Sequence, residues 1–180
     1  MRVITGFARG RKLNTLPGDA VTRPTTESTK EALFSSIQFE IEGKKVLDLF
    51  AGCGQLGIEA LSRGARFCTF VENNRQAYKI VEENINHCKM QDMSNLVLAD
   101  AKAFLSRKDN FVIAFVDPPY GKGLAQECLP LLVNHMSADG IIICETARDE
   151  NLDQYVADWF AYKTKNYGKS KLTYYRKDND

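Results

Sequence analysis

The sequence lacks the features that mark membrane, secreted and zinc-binding proteins. Its 180 residues contain no apolar run of about 18 residues, the length that a membrane-spanning helix needs. The N-terminal stretch MRVITGFARGRKL has no continuous apolar segment of the kind that signal peptides carry. The five cysteines are odd in number and form no CxxC pair, which disfavours both a disulfide framework and a zinc site. We therefore expect no membrane association and a protein of the reducing cytoplasm.

Histidine is scarce, and the chain contains no internal repeat and no low-complexity linker. The two histidines, His87 and His135, lie in helical patterns without partners at metal-ligand spacing, so we expect no metal. Hydrophobic residues make up 44% and charged residues 26%, which is ordinary for a globular protein with one core. We predict a single domain over residues 1–180, with 1–38 as an N-terminal extension and 39–180 as the core, and we expect a monomer.

The net charge of +1 hides an uneven distribution of charged residues. Residues 1–30 hold six basic and two acidic residues, and residues 160–180 hold the same numbers, so each end carries +4 and the middle carries −7. Two basic ends of this kind can bind a polyanion. It is equally possible that their charged side chains are simply solvated. The basic residues that we consider as polyanion contacts are Arg9, Arg11, Lys12, Lys169 and Lys171.

Short apolar runs alternate with helical patterns through the middle of the chain. The runs are Val46–Phe50, Phe67–Val71, Leu96–Leu98, Phe111–Val116 and Ile141–Cys144. Continuous apolar runs of this length are typical of a parallel sheet that is covered on both faces. Between them, the apolar spacing predicts helices over about 56–63, 74–89 and 124–134. Alternation of this kind predicts a doubly wound α/β fold with right-handed crossovers.

The two ends of the chain have patterns that differ from the α/β alternation of the middle. Arg2–Thr5 and Arg11–Thr15 predict two short strands around a glycine-containing turn, an N-terminal β-hairpin outside the main sheet. A helix that ends near Ile37 follows. Trp159–Lys165 and Leu172–Arg176 predict a second hairpin, which adds an antiparallel strand to the sheet.

The first chemical motif is a glycine-rich turn between a predicted strand and a predicted helix. Gly52, Gly54 and Gly57 form a GxGxxG, and the acid Glu72 follows Gly52 by 20 residues. Glycine lets the backbone approach a ligand closely, and a carboxylate at the end of the next strand can accept hydrogen bonds from ribose hydroxyls. This context predicts a nucleotide or nucleoside site, and a packing turn is the alternative.

Two carboxylates narrow the choice of ligand. Glu72 would repel a 2′-phosphate, which disfavours NADP and leaves NAD and S-adenosyl-L-methionine. Asp48 interrupts an apolar strand, and a cationic ligand would compensate its burial, which favours the sulfonium cofactor. The alternative is that the Asp48 carboxylate is bonded to backbone amides of the turn. Cys53, within the turn, is interpreted as a small filler and not as a nucleophile.

The second motif, Asp-Pro-Pro-Tyr, directly follows the apolar run Phe111–Val116. Pro118 and Pro119 end strand pairing and hold the chain extended at the edge where ligands bind in open α/β sheets. The Asp117 carboxylate and the Pro118 carbonyl can then accept the hydrogens of an exocyclic amine, directing its lone pair at an electrophile. Tyr120 offers a ring for a flipped base to stack on. A rigid turn with an aromatic plug is the alternative.

With both motifs, the sequence resembles class I S-adenosylmethionine-dependent methyltransferases that carry (D/N)PP(Y/F). Within them it resembles the bacterial RsmD family of 16S rRNA (guanine-N(2))-methyltransferases. The resemblance runs from residue 1 to about 176 and rests on MRVITGFARGRKL, TRPTTESTKEALF at 22–34, KKVLDLFAGCGQLGIEALSRGA at 44–65, FVE at 70–72, DPPY, and YGKSKLTYYR at 167–176. Gln55 and the pair Asn73–Asn74 depart from the family's usual residues.

This resemblance implies a Rossmann-like class I methyltransferase fold, with a seven-stranded mostly parallel sheet, helices on both faces and an N-terminal β-hairpin extension. It implies S-adenosyl-L-methionine as cofactor, and 16S rRNA in an assembling or assembled small subunit as partner. Asp100 would meet the adenine amino group or cap a helix, and Arg23 would close over the site or contact an RNA phosphate. The implied cofactor contacts are Asp48, Phe50, Gly52, Gly54, Gly57, Glu72, Asn73, Asp100, Ala101, Arg23 and Thr25. The implied catalytic residues are Asp117, Pro118, Pro119 and Tyr120.

Other functions fit parts of the sequence. A DNA adenine amino-methyltransferase also uses DPPY, but 180 residues leave no room for a separate target-recognition domain. Protein-glutamine methyltransferases usually carry Asn before the two prolines. An NAD-dependent oxidoreductase requires only the glycine turn, and a non-catalytic RNA-binding module leaves DPPY unexplained. The choice of guanine over adenine comes from the resemblance and not from the residues.

Overall fold

The computed structural model describes residues 1–17 and 27–178. The strands are β1 (Lys45–Asp48), β2 (Phe67–Glu72), β3 (Ser94–Leu98), β4 (Phe111–Val116), β5 (Met136–Ala147), β6 (Tyr155–Val156), β7 (Trp159–Tyr167) and β8 (Ser170–Lys177). The α-helices are α1 (Glu27–Ser36), α2 (Gln55–Ser62), α3 (Arg75–His87), α4 (Ala101–Phe104) and α5 (Leu124–Leu132). Short 3₁₀ turns cover Gln91–Met93 and Val133–His135. Arg23 and Thr25 lie outside the described residues.

The strands form one mixed sheet with the order β3-β2-β1-β4-β5-β8-β7-β6. Strands β1 to β5 pair in parallel, and β8, β7 and β6 continue the sheet with antiparallel pairing. The chain moves outward from β1 to β2 and β3 and then returns to β4 on the other side of β1. The edge beyond β1 and β4 is therefore the topological switch point, where ligands bind in such sheets.

The predicted α/β class is confirmed, and two details differ. Within the described residues the sheet has eight strands and not seven, because the two-residue strand β6 pairs with β7 at the far edge. The predicted N-terminal hairpin is present but short: one antiparallel bridge pairs Arg2 with Lys12, and the amides of Val3 and Leu13 donate to the carbonyls of Arg11 and Met1. In the first of its two predicted strands, the amides of Ile4 and Thr5 donate to the carboxylate of Glu59 at 2.8 and 3.0 Å. These two amides bond to α2 and not to the second strand of the hairpin.

Hydrophobic cores cover both faces of the sheet. On one face, Val46 of β1 packs in a cluster with buried residues of α1, α2 and α3. On the other face, Leu47 belongs to a second cluster with α4 and α5. Alternate residues of a strand point to opposite faces, so the continuous apolar runs follow from this double burial. None of the helices in the described parts of the chain combines the length and apolar character that crossing a membrane requires.

Residues 1–17, called here the N-terminal arm, dock on the first of these cores. Val3, Ala8 and Leu13 are buried in the same cluster as α1 and α2. The Glu59 carboxylate that holds the arm is fully buried and also pairs with Lys30 of α1 at 3.2 Å. Lys30 in turn donates to the Arg2 carbonyl at 2.7 Å. Buried charged groups are stable when paired and hydrogen-bonded in this way, so the arm is part of the packed core.

Candidate active site

The glycine-rich turn lies between β1 and α2, as predicted. Gly52 and Gly54 have φ values of 60° and 81°, which an L side chain rarely adopts. Gly57 has a different reason to be glycine, because a Cβ there would lie 2.2 Å from the Phe70 ring. The Gly57 amide donates to Asp48 Oδ2 at 3.0 Å, and Asp48 is almost completely buried. The Asp48 carboxylate therefore supports the turn from below, and its predicted contact with a cofactor stays a prediction.

Glu72 connects the end of β2 to the glycine turn. Its Oε2 accepts from the Gly52 amide at 2.8 Å, and its Oε1 accepts from the Asn74 amide at 2.8 Å. Asn74 caps α3, since its side chain accepts from the amides of Gln76 and Ala77. A carboxylate oxygen has two lone pairs, so these bonds leave Glu72 able to accept from a ligand as well. Glu72 is half-buried and faces the same cleft as Gly52.

A cleft of about 410 Å³ opens where the turn and the proline corner meet. Five of its lining residues were predicted as site residues: Phe50, Gly52, Glu72, Asn73 and Pro119. The others are Leu16, Asn74, Ala77, Lys122 and Leu124. Lys122 follows the DPPY motif by two residues and is exposed, and the sequence interpretation missed it. The volume lies within the range of pockets that hold cofactor-sized ligands.

The DPPY corner directly follows β4. Asp117 and Pro118 are buried, Pro119 is exposed and Tyr120 is half-buried. The Tyr120 hydroxyl donates to Glu145 Oε1 at 3.0 Å. Burial, followed by the charges of Glu145 and Asp117, raises the pKa of Tyr120 far above its usual value, so the phenol stays protonated.

Glu145 lies beside the DPPY corner and was not predicted from the sequence. Parallel pairing sets Val116 of β4 opposite Cys144 of β5, so Asp117 and Glu145 follow at the same edge of the sheet. Glu145 is almost completely buried. A signal was present in the sequence, because an acid directly follows the apolar run Ile141–Cys144 just as Asp117 follows β4.

Asp100 takes the helix-capping role that was one of its two predicted roles. Its Oδ1 accepts from the amides of Lys102 and Ala103 at 2.9 and 3.1 Å, at the start of α4. Both bonds use Oδ1, and the side chain is exposed at the carboxyl end of β3. Ala101 is buried. The predicted contact of Asp100 and Ala101 with adenine stays a prediction.

The predicted polyanion contacts fall into two groups. Arg9, Lys12 and Lys169 are exposed. The guanidinium of Arg11 donates to the His87 carbonyl. Lys171 is largely buried, and its ammonium lies 3.3 Å from the Asn151 side-chain oxygen. Arg11 and Lys171 are thus held by the protein, whereas the other three side chains extend into solvent.

Asn84 of α3 connects the arm to the glycine turn and was not predicted. Its amide group donates to the Cys53 carbonyl at 2.8 Å and to the Asn14 carbonyl at 2.9 Å. Its oxygen accepts from the Asn14 amide at 2.8 Å. Burial raises the pKa of Cys53 to about 11, which is unsuited to a thiolate nucleophile and agrees with its interpretation as a filler.

Known proteins match this chain over nearly its whole length. YlbH of Bacillus subtilis is 36% identical, with 98% of this chain and 99% of YlbH covered. Ribosomal RNA small subunit methyltransferase D of Escherichia coli is 33% identical, with 99% of this chain and 90% of that protein covered. The solved structure of Escherichia coli yhhF superposes with a TM-score of 0.86 at 32% identity and covers 100% of this chain and 99% of its own.

These relatives favour methyl transfer over the dinucleotide chemistry that the glycine turn alone also allows. The family described as Conserved hypothetical protein 95 matches residues 1–176, which includes the arm, the turn and the proline corner. The resemblance drawn from the sequence motifs is thereby confirmed. The chain belongs to the RsmD family.

Proposed function

We propose that this protein transfers a methyl group from S-adenosyl-L-methionine to the exocyclic amine N(2) of a guanine in 16S rRNA of the small ribosomal subunit. The observation that carries the proposal is that Gly52 of the glycine turn, Glu72 and Pro119 of the proline corner line one cleft. Asp117 directly precedes Pro118 and Pro119 at the end of β4. The name of the Escherichia coli relative supports ribosomal RNA of the small subunit as the substrate.

The residues around the cleft fit the proposed cofactor. When bound, S-adenosyl-L-methionine supplies an electrophilic methyl group on a sulfonium sulfur. Gly52 would lie against it without a side chain in the way, and Glu72 would accept hydrogen bonds from its ribose hydroxyls. Asp48 beneath the turn and Glu72 at its rim make this end of the cleft acidic, which suits a cationic ligand.

The proline corner supplies what the target amine needs. The exocyclic nitrogen of guanine is a poor nucleophile, because its lone pair is delocalised into the ring. The Asp117 carboxylate and the Pro118 carbonyl would accept its two hydrogens and so direct the lone pair toward the cofactor end of the cleft. Asp117 would then take the proton that the nitrogen releases. The remaining contribution of the corner is alignment, since Pro118 and Pro119 restrict its backbone.

Tyr120 would form one wall of the base site. Its hydroxyl is bonded to Glu145, and its ring would stack on the flipped guanine. The choice of guanine N(2) over another amine rests on the resemblance to the RsmD family.

The test is a transfer assay with labelled S-adenosyl-L-methionine, purified small subunits, naked 16S rRNA and duplex DNA. We expect label in the ribosomal RNA and none in the duplex, with N(2)-methylguanosine as the product in nucleoside analysis. Asp117→Ala should reduce transfer by at least a hundredfold and leave cofactor affinity within about twofold, because its proposed work is on the target amine. Label in duplex DNA alone, or an equal loss of cofactor affinity, would contradict the proposal.

A further inference from the structure

Phe7 is an exposed aromatic side chain in the N-terminal arm, with a relative accessibility of 60%. It lies in the turn Gly6–Gly10, between Val3 and Leu13, which are both buried. A single exposed phenyl ring is not unusual by itself. What requires an explanation is that the fold fixes the backbone on both sides of this exposed ring.

The backbone around Phe7 is fixed by two buried side chains. Glu59 accepts from the amides of Ile4 and Thr5, as described above. The Ser62 hydroxyl donates to the Thr5 carbonyl at 2.6 Å and accepts from the Ala8 amide at 3.0 Å. The Phe7 amide itself donates to the Ser62 carbonyl at 3.0 Å. The ring is therefore presented to solvent from an anchored turn.

The turn also carries positive charge. Arg9 lies within it and Lys12 follows it, and both side chains are exposed. An aromatic ring among cations is the combination that binds single-stranded nucleic acid, because the cations attract the phosphates while the ring stacks on a base. A protein-binding patch would place further apolar side chains around the ring. The exposed residues near Phe7 in the sequence are instead Thr5, Gly6, Arg9 and Gly10.

We propose that Phe7 stacks on an unpaired base of the RNA substrate, next to the phosphates that Arg9 and Lys12 contact. The inference rests on the proposed RNA substrate and adds a specific contact outside the cleft. The contact is separate from the methylated base, for which the proposed stacking partner is Tyr120. It gains affinity without ordering the arm, since the arm is already docked.

The experiment measures the affinity of naked 16S rRNA transcript for Phe7→Ala, Phe7→Leu and Phe7→Trp across a salt series. The matched control is Phe39→Ala, since Phe39 is 93% exposed and lies after α1, outside the turn Gly6–Gly10. Phe7→Ala and Phe7→Leu should each weaken binding about tenfold, which is in the range for loss of one base–aromatic stack. The slope of log affinity against log salt should stay unchanged, because stacking releases no counterions.

Phe7→Trp should keep wild-type affinity and report the contact directly. The only natural tryptophan, Trp159, is buried, so quenching of the new indole by RNA would indicate stacking at position 7. Wild-type affinity in Phe7→Ala, or full rescue by Phe7→Leu, would overturn the inference while the proposed function stands. A defect seen with protein-loaded particles but not with naked RNA would instead assign Phe7 to a protein contact. A wild-type protein that neither binds nor methylates RNA would overturn both proposals.

Discussion

Substitution of Gly6 by alanine tests whether the arm is a fixed part of the core. Gly6 has a φ of +87°, and a Cβ there would lie 1.7 Å from the carbonyl oxygen of Ser62. That oxygen belongs to the backbone of α2 and has no rotamer to change. The clash can be relieved only if the arm moves away from α2. Such a movement breaks the hydrogen bonds that the amides of Phe7 and Ala8 make to Ser62.

Two contributions set the expected loss of stability in Gly6→Ala. Alanine in the left-handed region costs about 1–2 kcal/mol. Loss of the two hydrogen bonds to Ser62 adds about 1 kcal/mol each. Gly6→Ala should therefore destabilise the docked arm by about 3–4 kcal/mol. Gly10 provides a matched control, since its φ is +84° but nothing lies within 4 Å of its would-be Cβ. Gly10→Ala should cost about 1–2 kcal/mol, from the backbone conformation alone.

Urea unfolding and amide hydrogen exchange measure the difference. Gly6→Ala should lower the unfolding midpoint about twice as far as Gly10→Ala, or increase exchange at the Phe7 and Ala8 amides if only the arm undocks. RNA affinity should fall in Gly6→Ala because the cations of the arm lose their fixed position. Equal effects of the two substitutions on midpoint and exchange would refute the reasoning, since they would show that contact with Ser62 does not hold the arm.

Three further outcomes are expected. Lys30→Met should lower the free energy of unfolding by about 1.5–3 kcal/mol in urea titrations, because it removes one of the two cationic partners of the buried Glu59 carboxylate while Arg63 remains at 2.9 Å; a change below 1 kcal/mol would contradict the pairing. Tyr120→Phe should reduce kcat/KM for RNA about threefold to tenfold and spare cofactor affinity, because the ring loses its hydrogen bond to Glu145; unchanged kinetics would argue against this anchor. In a thiol titration, all five cysteines should react with the reagent after denaturation, and almost none should react rapidly in the native protein, since all five are buried. A thiol that reacts rapidly in the native protein would mean that one of the cysteines is accessible.

Both chemical motifs could be predicted from the sequence because each is local. The glycine spacing at 52–57 and the two prolines after β4 restrict the backbone where they stand. The apolar run Phe111–Val116 matches the observed strand residue for residue, since burial on both faces selects apolar residues at every position. A parallel sheet then brings the ends of β1 and β4 to one edge without further information.

The residues that hold the N-terminal arm on the helices could not be predicted in this way. Glu59 contacts the arm across more than 50 positions of sequence, and Asn84 reaches Asn14 across 70. No local pattern distinguishes these side chains from other polar residues of an amphipathic helix. The predicted hairpin is confirmed by the bridge between Arg2 and Lys12, but its short length could not be predicted, because Glu59 binds the amides of Ile4 and Thr5 across the same long separation.

Three buried polar side chains lie where the arm meets helices α1, α2 and α3. Lys30, Glu59 and Asn84 are each almost completely buried, and each bonds to the arm. Any other docking of the arm would break the hydrogen bonds that these groups make to it, at a cost of about 1 kcal/mol or more each, so they select one arrangement over others of similar apolar contact. Asn84 also bonds to the Cys53 carbonyl, which fixes the arm relative to the turn itself. The proposed RNA contacts of the arm and the proposed methyl transfer in the cleft thus depend on one rigid unit. Folding, and not binding, sets the distance between the turn Gly6–Gly10 and the cleft.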